Sequence, residues 1–295
     1  MDRVIDFSEE PASLSVRNFL LHIKRDEKET VTIPLAEISV MVVSHPRVTY
    51  TQSVLAGLCM TGGTFITCDE KHLPVGILLP IAANFAQTER FTQQANVSEP
   101  TKKRLWQQVV KAKITAQAKL LNDLHGDDFG MLEFVGKVHS GDSGNIEAQA
   151  SRLYWQILFN NPDFKRDRVR NDQNRFLNYG YTVLRAIVAR GICAAGLHPS
   201  LGIHHHNRYD AFCLASDLME PLRPSVDRVV VKIVDEFGAD APMDKEVKGA
   251  LMSAFLERYE LDGESRTLFD IAAKTASSLV QVFAGESNKL VLPEI

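Results

Sequence analysis

Two acidic side chains set three positions apart, Asp217 and Glu220, follow closely on a run of three histidines, His204, His205 and His206. The stretch AFCLASDLMEP between them carries Phe212, Leu214, Leu218 and Met219 at packing positions, so a helix is expected there. On a helix, acids at i and i+3 share one face. Pro221 removes a backbone donor and makes that helix kink or stop beside the carboxylates. Two chemistries compete for these residues. Carboxylates with imidazole form the ligand set of a hard divalent ion, Mg²⁺ or Mn²⁺. Arg223 offers the alternative, an ordinary ion pair with Glu220. The histidines cannot all do one job, because neighbouring side chains of an extended segment point to opposite sides. His205 would then face away from His204 and His206.

A further acid, Glu147, opens the segment NIEAQASRLYWQILF. Ser143 or Asn145 can cap a helix that begins there. An acid in a first turn is favoured by the helix dipole even without a chemical role. The preceding GDSG, residues 141–144, is a loop open enough for a substrate backbone to approach. Basic residues cluster in FKRDRVR, with Lys165, Arg166, Arg168 and Arg170, and again at Lys102, Lys103, Arg104, Lys111 and Lys113. Such clusters are either solvated faces or, if they converge, a surface that contacts phosphates.

The elements that must position these residues fall into two groups. Residues 1–83 form a β-rich domain: RVIDF, LSVRNFLLHI, TVTIPL, ISVMVVS, TFITC and VGILLP are short apolar runs between polar turns. A mostly antiparallel arrangement is expected, with one inserted helix at TQSVLAGLCM. Residues 84–97 are polar and amide-rich and make a linker. Residues 98–295 form an all-α domain. Its first helix opens at Ser98 and Pro100 and repeats Leu105, Val109, Ala112, Ala116 and Leu120 at helical spacing. Further helices are expected over 145–159, 172–195, 211–236, 243–257 and 265–283. The fold class is therefore α+β, and SNKLVLPEI (287–295) is either a disordered tail or, as its apolar alternation favours, a strand added to a partner.

Bulk properties exclude several classes. A chain of 295 residues with 45% hydrophobic and 24% charged residues buries a sizeable core without metal or disulfide staples. A net charge of −4 does not favour polyanions, so nucleic-acid binding would need a local basic face. The cysteines Cys59, Cys68, Cys193 and Cys213 have neither C-x-x-C nor zinc-finger spacing and are expected as reduced thiols. MDRVIDFSEE lacks the apolar run of a signal peptide, and no stretch is long enough to span a bilayer, so a cytoplasmic protein without membrane contact is expected.

Residues 172–230, DQNRFLNYGYTVLRAIVARGICAAGLHPSLGIHHHNRYDAFCLASDLMEPLRPSVDRVV, resemble the CRISPR-associated adaptation endonuclease and integrase, the "Cas-one" family. The shared pattern is an Asn-rich helix with a Y-G-Y-like turn, then G-L-x-P-x-x-G-x-x-H, then D-L-x-E-x-x-R-P. Asn145 to Tyr154 and KITAQAKLL also match, and the wording around the histidines looks most like the type II branch. The resemblance implies a divalent-metal site of Glu147, His205 and Glu220 that is also the catalytic set, with Asp217 as an accessory acid and Mg²⁺ or Mn²⁺ as the ion. It implies strand transfer from a DNA 3′-hydroxyl to the edge of a CRISPR repeat, in antiviral defence. Lys165, Arg166, Arg168 and Arg170 are candidate DNA contacts. The partners implied are double-stranded prespacer and repeat DNA, a second copy of the chain, a small ferredoxin-like adaptation protein in a hetero-hexamer, and the type II effector nuclease. Two other readings compete: a non-catalytic DNA-binding scaffold of the same fold, and a zinc-dependent phosphoesterase using the histidines.

Overall fold

The computed structural model describes residues 3–70, 74–81, 84–167, 169–261 and 263–295. Strands crowd the N-terminal third and helices the remainder, a mixed α/β chain as expected. Two four-stranded sheets build the first part. One takes β1 (Arg3–Phe7), β5 (Ile38–Val43), β7 (Thr64–Cys68) and β8 (Pro74–Leu78), in that order. The other takes β4 (Val31–Pro34), β3 (Leu20–Lys24), β2 (Ser13–Arg17) and β6 (Thr49–Tyr50).

The expectation of a mostly antiparallel domain needs correcting for the first sheet. Strand β5 pairs parallel with both β1 and β7. Helix α1 (Gln52–Met60) lies in the crossover between β5 and β7. All six residues of ISVMVV are buried, the continuous apolar run of a strand covered on both faces. Its alternation divides two cores: Val40 and Val42 join the helical core, while Met41 and Val43 join the core of the β-rich part. LSVRNFLLHI, which reads as one strand, folds as the hairpin β2–β3. Asn18 and Phe19 form its turn, both with positive φ (50° and 58°). A bulky residue in that conformation gives little turn signal.

Residues 84–97, expected as a linker, contain a helix, α2 (Gln87–Ala95). Its polar side chains bind main chain across the fold, which explains a composition that looked like solvated linker. Asn84 donates to the carbonyl of Ala194 at 2.9 Å, Arg90 donates to that of Ala195 at 2.5 Å, and Gln94 donates to those of His198 and Leu201, each at 2.9 Å. These bonds satisfy carbonyls at the end of α6 (Asn174–Ala194) and in the loop beyond it.

The helical part starts with α3 (Glu99–His125), closed by Gly126 in the left-handed conformation. Ser98 stands at its cap position, but its hydroxyl meets that of Thr101 instead of a backbone donor. Then come α4 (Met131–Lys137), which the sequence pattern missed, and α5 (Ile146–Leu158). The expected helix over 211–236 is broken where Pro221 and Pro224 fall. The pieces are α7 (Cys213–Leu218), a 3₁₀ turn at Glu220–Leu222, and α8 (Arg223–Phe237). Helices α9 (Lys245–Ser253) and α10 (Leu268–Phe283) flank a hairpin, β9 (Arg258–Leu261) and β10 (Glu264–Thr267), so this part is not purely helical.

The C-terminal segment is not left free for a partner. The Leu290 N–H donates to Gln108, the Val291 N–H donates to Ser278, and Thr275 donates to the Val291 carbonyl. Leu290 and Ile295 are buried. All four cysteines are free.

Helix α6 approaches α8 closely at Gly180, where an added Cβ would stand 2.5 Å from a methyl of Val226. Gly180→Ala is expected to destabilise the fold by about 1–3 kcal/mol through overpacking. Denaturant unfolding should show most of that loss recovered in the double variant Gly180→Ala/Val226→Ala.

Candidate functional site

Helix α3 carries Lys113 on its buried side, in register with Trp106, Val110, Gln117 and Leu121. The Lys113 side chain is only 9% exposed. Its ammonium forms a short ion pair with Glu147 Oε1 and lies 2.6 Å from Glu220 Oε2. The first contact is a hydrogen bond; the second is an ion pair without hydrogen-bond direction, since Oε2 finds no well-aligned donor. Glu220 Oε1 accepts from Nε of Arg223 at 2.9 Å and forms an ion pair with Nη2 of the same guanidinium, also at 2.9 Å. The ion pair with Arg223 weighed from the sequence is therefore present, but Glu220 is buried and the pair is internal rather than on the surface.

Glu147 reaches this point because α5 begins beside α3. Its capping acceptor is Asp142, not Ser143 or Asn145. The Asp142 carboxylate accepts from the N–H groups of Ile146 and Glu147 at 2.9 and 3.0 Å. Gly141, Asp142 and Asn145 all take positive φ, and the reversal carries Asp142 under the helix start. Asp142 is thus a site-building residue that sequence reasoning missed, since a cap so far upstream departs from the usual spacing.

A cavity of about 300 Å³ opens on the pair, with Gln117, Ser151, Trp155, Arg166, Tyr181 and Asp227 among its walls. Tyr154 and Tyr181 both donate to the buried Asp227 carboxylate, the former at 2.7 Å. Burial pushes the Asp227 carboxyl up to about 6 against those two hydrogen bonds. Burial also acts most strongly on Glu220 and would raise it, yet Arg223 and Lys113 outweigh burial together and hold its carboxyl down at about 2. Lys113 is driven down by burial and up, more strongly in sum, by Glu220 and Glu147, so it stays a cation.

The histidine segment is not extended and does not alternate. It wraps the fully buried carboxylate of Asp217, which accepts the backbone N–H groups of Ile203, His204 and His205 at 2.7, 3.0 and 3.1 Å. Asp217 Oδ1 also meets Nδ1 of His205 at 2.5 Å. The His204 ring stacks on Trp106, centroids 4.0 Å apart and nearly parallel, and His205 meets the same indole edge-on. The hydrogen bond to Asp217 raises the His205 pKa, against burial, which lowers it. His204 is lowered by burial.

Of the expected ligands, Glu147 and Glu220 converge on one ammonium, while His205 lines a neighbouring cavity of about 420 Å³ with Lys102, His206, Asn207 and Arg208. Among the described residues, no group of three or more His, Cys, Asp or Glu side chains stands close enough to hold an ion directly. Of the proposed DNA contacts, Lys165 and Arg170 are exposed and Arg168 lies outside the described residues. Arg166 instead turns inward, donating to Asn174 and Asn178. Lys113 read as surface charge; its place in the apolar register of α3 was the signal that could have exposed it.

Two measurements follow from these contacts. Glu220 goes from an ordinary carboxyl of 4.5 to about 2 on folding. Its contribution, of order 3 kcal/mol, is present above pH 4.5 and lost as pH falls through 2. Glu220→Gln should flatten the stability-against-pH curve in that window in chemical denaturation. For His205, NMR titration should place the midpoint above 6.5, and Asp217→Asn should bring it down.

The chain matches the family model described as CRISPR associated protein Cas1 over residues 7–253. It is 36% identical to a CRISPR-associated endonuclease Cas1 of Neisseria meningitidis serogroup C, over 96% of this chain and 92% of that protein. The fold is shared with a CAS1 protein from Thermotoga maritima at TM-score 0.79 and 16% identity, covering 97% of this chain and 98% of the other. A casposase bound to integration product also has this fold, at TM-score 0.79 and 16% identity, over 98% and 92% of the two chains. A Cas6-RT-Cas1–Cas2 complex matches at TM-score 0.75 and 21% identity, over 99% of this chain and 36% of that one. Sequence match and fold agree: this chain belongs to the Cas1 family of CRISPR-associated proteins.

Proposed function

We propose that this chain is a divalent-metal-dependent DNA endonuclease and integrase that inserts short DNA into a CRISPR array. One observation carries the reading. Two carboxylates from elements far apart in sequence, Glu147 on α5 and Glu220 in the turn before α8, converge on a single buried cation. Their oxygens already form a position for positive charge, and oxygen donors suit Mg²⁺ or Mn²⁺. The donor set therefore fits the ion, with Glu147 and Glu220 as its carboxylate ligands. His205, which lines the neighbouring cavity, would be the third donor only after it or the carboxylates move closer together. With Nδ1 held by Asp217, its Nε2 is left to present a lone pair, the carboxylate–histidine arrangement that orients many metal ligands. Asp217 is then an outer-shell residue that fixes the ring and the loop together.

When bound, the ion would supply Lewis-acid stabilisation of charge on a phosphodiester. The chain's own residues do the rest. Glu147, with its side chain 28% exposed against 8% for Glu220, forms the solvent side of the site, and Glu220 its floor. A DNA 3′-hydroxyl attacks the repeat phosphodiester: one P–O bond forms, one breaks, and the proton passes to the departing 3′-oxygen through solvent. Water in place of the hydroxyl gives nuclease cleavage at the same atoms. Lys102 and Arg208, which line a cavity with His205, are proposed contacts for backbone phosphates.

The name of the meningococcal relative, CRISPR-associated endonuclease Cas1, supports the nuclease reading, and the casposase neighbour supports integration. The Cas1–Cas2 neighbour supports a Cas2 partner; its ferredoxin-like fold and assembly as a hetero-hexamer are proposed from the family resemblance alone. A second copy of the chain is a proposed partner, which the family resemblance implies. The type II effector nuclease is a further proposed partner. No helix among the described residues is long and apolar enough to cross a membrane; a cytoplasmic location is proposed from the family resemblance.

The decisive assay combines the protein, its small partner, a short duplex and a supercoiled plasmid bearing the repeat, with Mn²⁺. Glu220→Ala and His205→Ala should each lose at least about a hundredfold in strand transfer, and Asp217→Asn about 10–100-fold. Strand transfer that survives Glu220→Ala would leave the fold as a DNA-binding scaffold.

A further inference from the structure

We propose that Lys113 is a resident counter-ion of this site, which holds Glu147 and Glu220 in place and must be displaced for a divalent ion to bind, so that ion uptake is coupled to the arrival of DNA phosphate. The inference rests on the metal-dependent reading above. Its first support is charge. Glu147 and Glu220 contribute two negative charges, and Lys113 and Arg223 two positive ones, so the contacting groups already sum to zero. A divalent ion placed between the same carboxylates leaves a surplus of two positive charges in a largely buried pocket. Moving the ammonium out relieves part of that surplus, and a phosphodiester relieves more.

The second support is a place for the displaced group to go. Gln117 lies one helical turn beyond Lys113 on the same face of α3 and lines the same cavity. It is 3% exposed, and its Oε1 is buried without a hydrogen-bond partner. A buried unmatched acceptor within reach of a lysine is a costly feature in one state and a useful one in another. The flexible four-carbon stem of Lys113 can swing its ammonium from the carboxylates toward Gln117 and the cavity. There it would face an incoming phosphate. Arg223 cannot substitute for this movement, because its guanidinium is held by a hydrogen bond and an ion pair to Glu220 and lies over the Tyr181 ring.

The test is Mn²⁺ binding to the full chain without DNA, read by calorimetry and by Mn²⁺ electron paramagnetic resonance. Wild type is compared with Lys113→Met and Lys113→Gln, each also in a Glu147→Gln background. Removing the ammonium should tighten Mn²⁺ binding about tenfold, and Glu147→Gln should erase the gain. A short 3′-hydroxyl duplex should tighten Mn²⁺ binding to wild type by about the same factor and to Lys113→Met by clearly less. If a Lys113 variant folds only with Mn²⁺ present, the ion has taken over the counter-ion's role and the inference stands. Unchanged or weaker binding in both Lys113 variants, with Glu147→Gln still weakening wild type, would overturn the inference and spare the metal reading. Uptake indifferent to Glu147→Gln in every variant would instead overturn the metal reading itself.

Discussion

A lysine ammonium taken out of water on α3 sets the terms for everything around it. Such a charge is tolerated in a protein interior only when opposite charge is brought to it at contact distance. Here two carboxylates answer it, and each arrives by a different structural device. Glu147 comes from the first turn of α5, whose start is bent into place by the left-handed residues at Gly141, Asp142 and Asn145. Glu220 comes from a 3₁₀ turn wedged between α7 and α8, where Pro221 prevents a continuous helix. The two helix starts and the proline break would be unconnected local features without Lys113; with it they form one electrostatic unit, which Arg223 extends to the Tyr181 ring.

A second buried carboxylate organises the histidines in another way. Asp217 meets no lysine or arginine in the contacts that define it. It is matched by three backbone N–H groups and the His205 ring. Gathering successive amide donors on one acceptor forces the chain to curl, and this explains why the histidines do not alternate as a strand would. Gly202 is required in that curl, since a Cβ there would stand 2.4 Å from the His205 carbonyl and 2.9 Å from Asp217 itself. Trp106 then packs against both His204 and His205 from α3, the same helix that carries Lys113. One helix therefore registers the carboxylate half and the histidine half against each other.

What could be read in the sequence was whatever depended on local pattern. The strands of the N-terminal part, the long α3 and the helices around Glu147 and after Asn174 are visible as periodicity, since each must hide one face. The parallel pairing of β5 is not, because pairing direction is decided by the connections, through α1 to β7 and through β2–β4 from β1, and not by the residues of ISVMVV. Helix α2 looked like linker because its polar side chains serve main-chain carbonyls distant in sequence. Glu147, Glu220, His205 and Asp217 are singled out as candidates by type, spacing and family pattern. Lys113 was mistaken for surface charge and Asp142 was overlooked altogether. Both act across the fold, through contacts for which no short window of sequence carries a trace.

The two halves of the site differ in how firmly they are held, and the difference has a chemical consequence. Glu220, Lys113 and Asp227 sit in the helical interior, where α3, α5, α6 and α8 fix them. His205 sits on an exposed loop, tied down by one carboxylate and one indole. Polar groups in an interior keep their geometry because every alternative leaves one of them unmatched. Groups on a loop can adjust, since solvent matches them in any position. A site that accepts a long, stiff polymer, as proposed here, would gain from this division. In the reaction proposed above, the carboxylates would give a fixed reference for the reacting phosphate, and the imidazole, which lines a cavity with Lys102 and Arg208, would meet the substrate from the more exposed side.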